Sequence, residues 1–159
     1  MSSELQESID EKPIQWVTFF LGNEKFGINV MQVQEVLRIT EIAPVPGASS
    51  YVLGIINLRG NVVTVIDTRN RFGLSGSGGD DNSRIIIIEM DDHIVGMMVD
   101  SVAEVAEVMP SAVETAPNTG NEERGKYILG VTNHSNELLI LVDLLRMFSA
   151  QDVAELEMF

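Results

Sequence analysis

The sequence predicts an all-β protein with short helices, built as two small five-stranded barrels related by internal duplication. Three observations carry that expectation. First, the chain repeats itself: YVLGIINLRGNVVTVIDTRNRFG (51–73) lies over YILGVTNHSNELLILVDLLRMFS (127–149) at a constant offset of 76, which matches Tyr51 with Tyr127, Gly54 with Gly130, Asp67 with Asp143 and Phe72 with Phe148. An earlier pair, lying within FGINVMQVQEVLRI (26–39) and IVGMMVDSVAEVAE (94–107) and staggered by one residue, aligns at an offset of 69, with Gly27 on Gly96, Val33 on Val102 and Glu35 on Glu104. Second, the apolar residues fall in many runs of about five to seven, divided by turn signals, a pattern that suits small barrels or a sandwich. Third, each half holds about 65–75 residues, a marginal size alone, so the two halves should share a buried seam. The expected layout is a first barrel repeat over 14–72, a linker over 73–83 and a second barrel repeat over 84–149. Residues 1–13 read as a disordered lead-in and 150–159 as a C-terminal helix.

Taken in order, WVTFFLG (16–22) and FGINV (26–30) form a hairpin around Gly22-Asn23-Glu24-Lys25. Val30, Val33, Val36 and Leu37 then recur at helical spacing, with Asn29 as a cap, which predicts a short helical segment. Pro44 and Pro46 force extended chain. IINL (55–58) and VVTVI (62–66) flank a turn at Arg59-Gly60-Asn61. GLSGSGGDDNS (73–83) is a linker. RIIIIEM (84–90) and HIVGMMV (93–99) make a further hairpin, and VAEVAEV (102–108) suits a strand or a helix equally. A long loop over 110–125 precedes YILGVTN (127–133) and ELLILV (137–142), joined at His134-Ser135-Asn136. The stretch 143–159 is amphipathic at helical spacing.

Composition excludes several functions. A net charge of −14 with only ten Lys and Arg argues against nucleic acid and against anionic membrane surfaces. No apolar run approaches the roughly 20 residues of a membrane helix, and the polar N-terminus shows no signal peptide. The absence of Cys fits a reducing compartment. His93 and His134 lie in different turns with no Cys nearby, and the Asp pairs at 80–81 and 91–92 lack calcium-loop spacing, so no metal or other cofactor is expected. There is no nucleophile elbow and no phosphate loop, hence no catalytic residue.

Repeated positions should serve the fold: Asp67 and Asp143 as caps, and the paired glycines as close-packing points. Positions that differ between copies are freer to serve function. Arg59, at the tip of Asn57-Leu58-Arg59-Gly60, has no counterpart in Asn133-His134-Ser135-Asn136, so the shared fold does not require it. A guanidinium there can pair with a carboxylate and lie on apolar surface. Glu35 shares its neighbourhood but recurs as Glu104.

These blocks resemble the CheW family of chemotaxis coupling proteins over about residues 14–149. The resemblance is carried by WVTFFLGNEKFGINVMQVQEVL, IAPVPGASSYVLGIINLRGNVVTVIDTRNRFGL, HIVGMMVDSVAEVAEV, YILGVTN and ELLILVDL. It implies two SH3-like five-stranded barrels in a CheW-like fold and no catalytic activity. It further implies a cytoplasmic adaptor that couples the signalling tip of methyl-accepting chemoreceptors to the regulatory domain of the histidine kinase CheA. Such adaptors join membrane-associated arrays, with CheW–CheW ring contacts and no membrane insertion of their own. By position, receptor binding falls to Val33, Glu35, Arg59 and Val99, and kinase binding to Ile42, Gly54 and Gly130. Thr64 and Thr68 stand where the family often has Pro and Leu. Two alternatives stay open: a coupling protein of another chemosensory pathway, such as pilus motility or surface sensing, and a small-ligand-binding barrel, which would need a pocket with convergent polar groups.

Overall fold

A computed structural model of the chain describes residues 11–74, 80–90, 92–115 and 127–148. Among these residues ten strands form two five-stranded sheets. They are β1 (Ile14–Leu21), β2 (Glu24–Asn29), β3 (Val33–Arg38), β4 (Val52–Leu58), β5 (Asn61–Asp67), β6 (Arg84–Met90), β7 (His93–Val99), β8 (Ser101–Val108), β9 (Ile128–His134) and β10 (Glu137–Val142). Two one-turn helices, α1 (Thr68–Arg71) and α2 (Leu144–Met147), follow β5 and β10. Each is capped by the aspartate before it: Asp67 accepts from the Asn70 amide and Asp143 from the Leu145 amide. The expected all-β class with two five-stranded units is what is found. The lead-in up to residue 10 and the expected C-terminal helix lie outside the described residues.

One sheet runs β8-β1-β2-β10-β9 and the other β3-β6-β7-β5-β4. Replacing each strand by its repeat partner turns one order into the other, so the sheets are pseudo-symmetric. The assignment of one barrel to each sequence half therefore needs correction. The first sheet takes β1 and β2 from the first half and β8, β9 and β10 from the second; the other takes the rest. The crossovers explain this exchange. A strand needs about two linking residues to fold back on its neighbour. Asp100 is the single residue between β7 and β8, too short a link for a hairpin, so the chain runs on into the other sheet. A 3₁₀ turn at Val30–Gln32 makes the same passage between β2 and β3.

That turn corrects a second expectation. The helical segment ends at Gln32, where Asn29 caps the Met31 amide at 2.9 Å, and Val33–Arg38 is strand paired with β6. Likewise 101–108 is strand, paired with β1. The hairpin turns fall where the glycine and asparagine signals place them. Arg59 and Gly60 both have positive φ (50° and 87°), as do Ser135 and Asn136 (52° and 66°), the two-residue geometry that matches strand twist.

Alternation along each strand separates three cores. On β6, Ile85 and Ile87 face the interior of their own sheet, while Ile86 and Ile88 face the seam between sheets. On β10, Leu139 and Leu141 join Trp16 inside the other sheet, and Val142 faces the seam. Among the described residues the seam cluster holds eighteen buried residues and each sheet interior five. With each buried large apolar side chain worth roughly 1.5–3 kcal/mol, most of the core energy lies between the sheets. Neither sequence half retains it alone.

Candidate functional site

β3 is an edge strand, and its pairing with β6 shifts register between Val33 and Glu35. Val33 stands opposite Ile88 and packs on the seam; Glu35 stands opposite Ile87, on the face that turns to the sheet interior. The bulge thus aims Glu35 toward the open end of its sheet. Arg59 reaches that point from the β4–β5 turn, at the opposite edge of the same sheet. Its Nη1 donates to Glu35 Oε1 at 3.0 Å and its Nη2 to Oε2, a two-pronged pair. An ion pair between opposite edges shows how far the sheet has curled. The Arg59 side chain is 67% exposed and Glu35 29%. The hydrogen bonds from Arg59 hold the Glu35 carboxyl below its ordinary range. Val62 and Ile94, exposed at 59% and 43%, line the same concave surface together with Leu58 and Gln34.

The remaining expected residues are placed differently. Val99 is 1% exposed and belongs to the seam core, level with Arg84 and Arg38 at the far end of the strands from Val33, so it presents no surface and lies away from the ion pair. Ile42 is half-buried against the interior cluster of its sheet. Gly54 and Gly130 lie on edge strands of different sheets, and the structure does not bring them together. Both are buried, and the chain itself explains the glycine. A Cβ at Gly54 would fall 2.2 Å from the Ala43 carbonyl oxygen, and one at Gly130 would fall 2.7 Å from that of Glu114. Ala43 pairs with Ile55 and Glu114 with Val131, so each edge is covered by its own loop.

The pseudo-symmetric corner holds residues that sequence reasoning missed. Glu104 occupies the place of Glu35, but its cation is Lys25, with Nζ 2.6 Å from Glu104 and 3.1 Å from Glu137. Lys25 is 6% exposed. Burial alone would lower its pKa; the hydrogen bonds and charges of Glu104 and Glu137 outweigh it, and the net shift is upward. The available signal was a lysine in the otherwise apolar run KFGI. Asp100, at the second crossover, is also held: it accepts from the Gly22 amide at 2.6 Å and from Arg69 Nε at 2.8 Å, and Arg69 keeps its carboxyl below the ordinary range. Among the described residues no group of three His, Cys, Asp or Glu could hold a metal ion, and no helix is long and apolar enough to cross a membrane.

A duplicated, strand-exchanged pair of small sheets, with its charged and apolar exposed groups on curved outer surfaces, defines a class of β-rich interaction domain. Comparison with known proteins gives the family. Residues 15–152 match the model of the CheW-like domain, and the chain belongs to that family. It is 31% identical over 153 residues to a chemotaxis protein CheW of Treponema pallidum, covering 94% of this chain and 90% of that protein. It is 35% identical over 127 residues to a chemotaxis protein CheW of Bacillus subtilis, covering 80% and 81%. The crystal structure of the scaffolding protein TtCheW from Thermoanaerobacter tengcongensis superposes with a TM-score of 0.79 at 31% identity, covering 88% of this chain and 90% of that one.

Proposed function

We propose that this protein is a non-catalytic chemotaxis adaptor that couples methyl-accepting chemoreceptors to the histidine kinase CheA. The observation that carries the reading is family membership over nearly the whole chain, joined to relatives named as chemotaxis and scaffolding proteins. The receptor tip is assigned to the Val33, Glu35 and Arg59 region. Val62 and Ile94 supply apolar contact beside the charged pair, which orients the partner. CheA docking is assigned to the edges formed around Ile42 and Gly54 and around Gly130, where each glycine lets a loop lie flat on its strand. Each interface is modest, and the array multiplies them. The protein acts in the cytoplasm at membrane-bound arrays, where it also contacts further copies of itself.

Co-sedimentation with CheA and receptor signalling fragments tests this, with wild type beside Arg59→Glu. Wild type is expected to assemble with both, and the variant to keep the kinase and lose the receptor. Binding of neither partner by folded wild type at tens of micromolar overturns the reading and points to another chemosensory pathway.

A further inference from the structure

The repeat places three pairs of residues around the centre of the molecule: Tyr51 with Tyr127, Phe72 with Phe148, and Arg71 with Met147. Arg71, the last residue of α1, stands where the two copies meet. Its guanidinium carbon lies 5.1 Å from the Tyr51 ring, 5.6 Å from Tyr127 and 5.5 Å from Phe148. Its Nε donates to the Met147 carbonyl at 2.9 Å, and Nη2 donates to the same oxygen. One side chain therefore touches both members of the tyrosine pair and the backbone of its own repeat counterpart. The groups around it come from repeat-related positions, yet among the described residues they hold one cation. Two guanidinium groups in one partly buried aromatic cage would repel strongly, and Met147, fully buried, fills the second position without charge. A symmetric duplication admits one such clasp, from either side.

We infer that Arg71 is the positioning residue that fixes the angle between the two sheets, and through it the relative placement of the two partner surfaces. The geometric part stands apart from the proposed function; the effect on partners rests on it. The chain has no Cys, so spin labels at Val36→Cys and Val105→Cys, repeat counterparts on β3 and β8, report the inter-sheet distance cleanly. Double electron–electron resonance on the wild-type background is expected to give one narrow distance. Arg71→Met should broaden or shift it, keep the strand circular dichroism, and lower the thermal midpoint by roughly 5–10 °C. Arg71→Lys, with charge but no fork, should fall between. Arg71→Met with Met147→Arg moves the cation to the other side and should narrow the distribution again. An unchanged distribution in folded Arg71→Met overturns the inference, as does a folded exchange variant that stays broad. If the exchange variant does not fold, the comparison of Lys with Met decides: equal distributions sink the clasp. With receptor and CheA fragments, Arg71→Met should weaken both affinities about tenfold. A distribution that changes while both affinities hold leaves the clasp standing and removes its link to the partners.

Discussion

Glu35 and Glu104 occupy equivalent places in the two copies, yet their surroundings have diverged. Glu104 is held by Lys25, a buried cation on an inner strand that also binds Glu137. Glu35 has Ile94 where Lys25 would be, and takes its cation from Arg59 on an exposed turn. The first arrangement closes one end of its sheet with groups the chain keeps to itself. The second sets a charged pair on the surface beside exposed Val62 and Ile94. Duplication thus leaves one corner tied through a buried cation and the other through an exposed one. The crossovers differ in the same way. Asp100 is fastened by Arg69 and the Gly22 amide, whereas Met31, its repeat counterpart, is 87% exposed.

The largest expected effect lies where both copies obey one constraint. Gly54→Ala puts a methyl group 2.2 Å from the Ala43 carbonyl at a φ of +152°, so it combines a backbone clash with strain. It should cost about 3 kcal/mol or more by urea denaturation. Gly130→Ala meets Val113 Cγ1 at 2.5 Å and the Glu114 oxygen at 2.7 Å, without positive φ, and should cost less. The reverse order would mean that the loop over Gly130 is the more rigid.

Next comes the second crossover. Asp100→Asn weakens the bond to Arg69 and should cost about 1–3 kcal/mol, while Met31→Ser at the first crossover should be close to neutral. The same pair predicts acid lability. The folded-state pKa values of Asp100 and Glu104 are depressed, by Arg69 and Lys25 respectively. Their stabilisation is complete above the unfolded pKa and lost as pH falls through the folded one, from about pH 4.5 downward. The difference in urea midpoint between wild type and Asp100→Asn should therefore shrink between pH 5 and pH 3. A constant difference would show that the Asp100 charge is not what matters.

Much of this was legible in the chain. The repeat, both aspartate caps and the hairpin turns follow from local chemistry that any context would respect. The helical reading of 30–37 failed because the register shift at Gln34 breaks the two-residue alternation, and because Val36, which completed the helical spacing, is 41% exposed. The strand exchange was hidden for a different reason. Repeat-equivalent strands carry the same pattern, so pairing within or across copies looks identical in sequence, and only the one-residue link at Asp100 decides. The Arg59 turn was visible as an asymmetry between copies. Its tie to Glu35 depends on the curling of the sheet, which a linear pattern does not carry; nor does such a pattern show that Val99 is buried on the seam.

The smallest effects on stability fall at the two diverged corners, and there they separate structure from function. Lys25→Met removes a buried cation whose two carboxylates are about half exposed and can return to water. Methionine can fill the space of the aliphatic stem, so the cost should stay below about 1 kcal/mol. Partner binding should not change. Arg59→Ala removes an exposed charge from a turn whose conformation Gly60 and the Asn57 side chain also hold, with Asn57 Oδ1 accepting from the Gly60 amide at 2.8 Å. Its unfolding midpoint should match that of wild type, because an exposed ion pair adds little in water. Receptor association should nevertheless fall, and the salt dependence of the remaining binding should flatten, since the lost group is the one that attracts charge across the interface. If Lys25→Met weakens receptor binding and Arg59→Ala does not, the roles of the two corners are reversed.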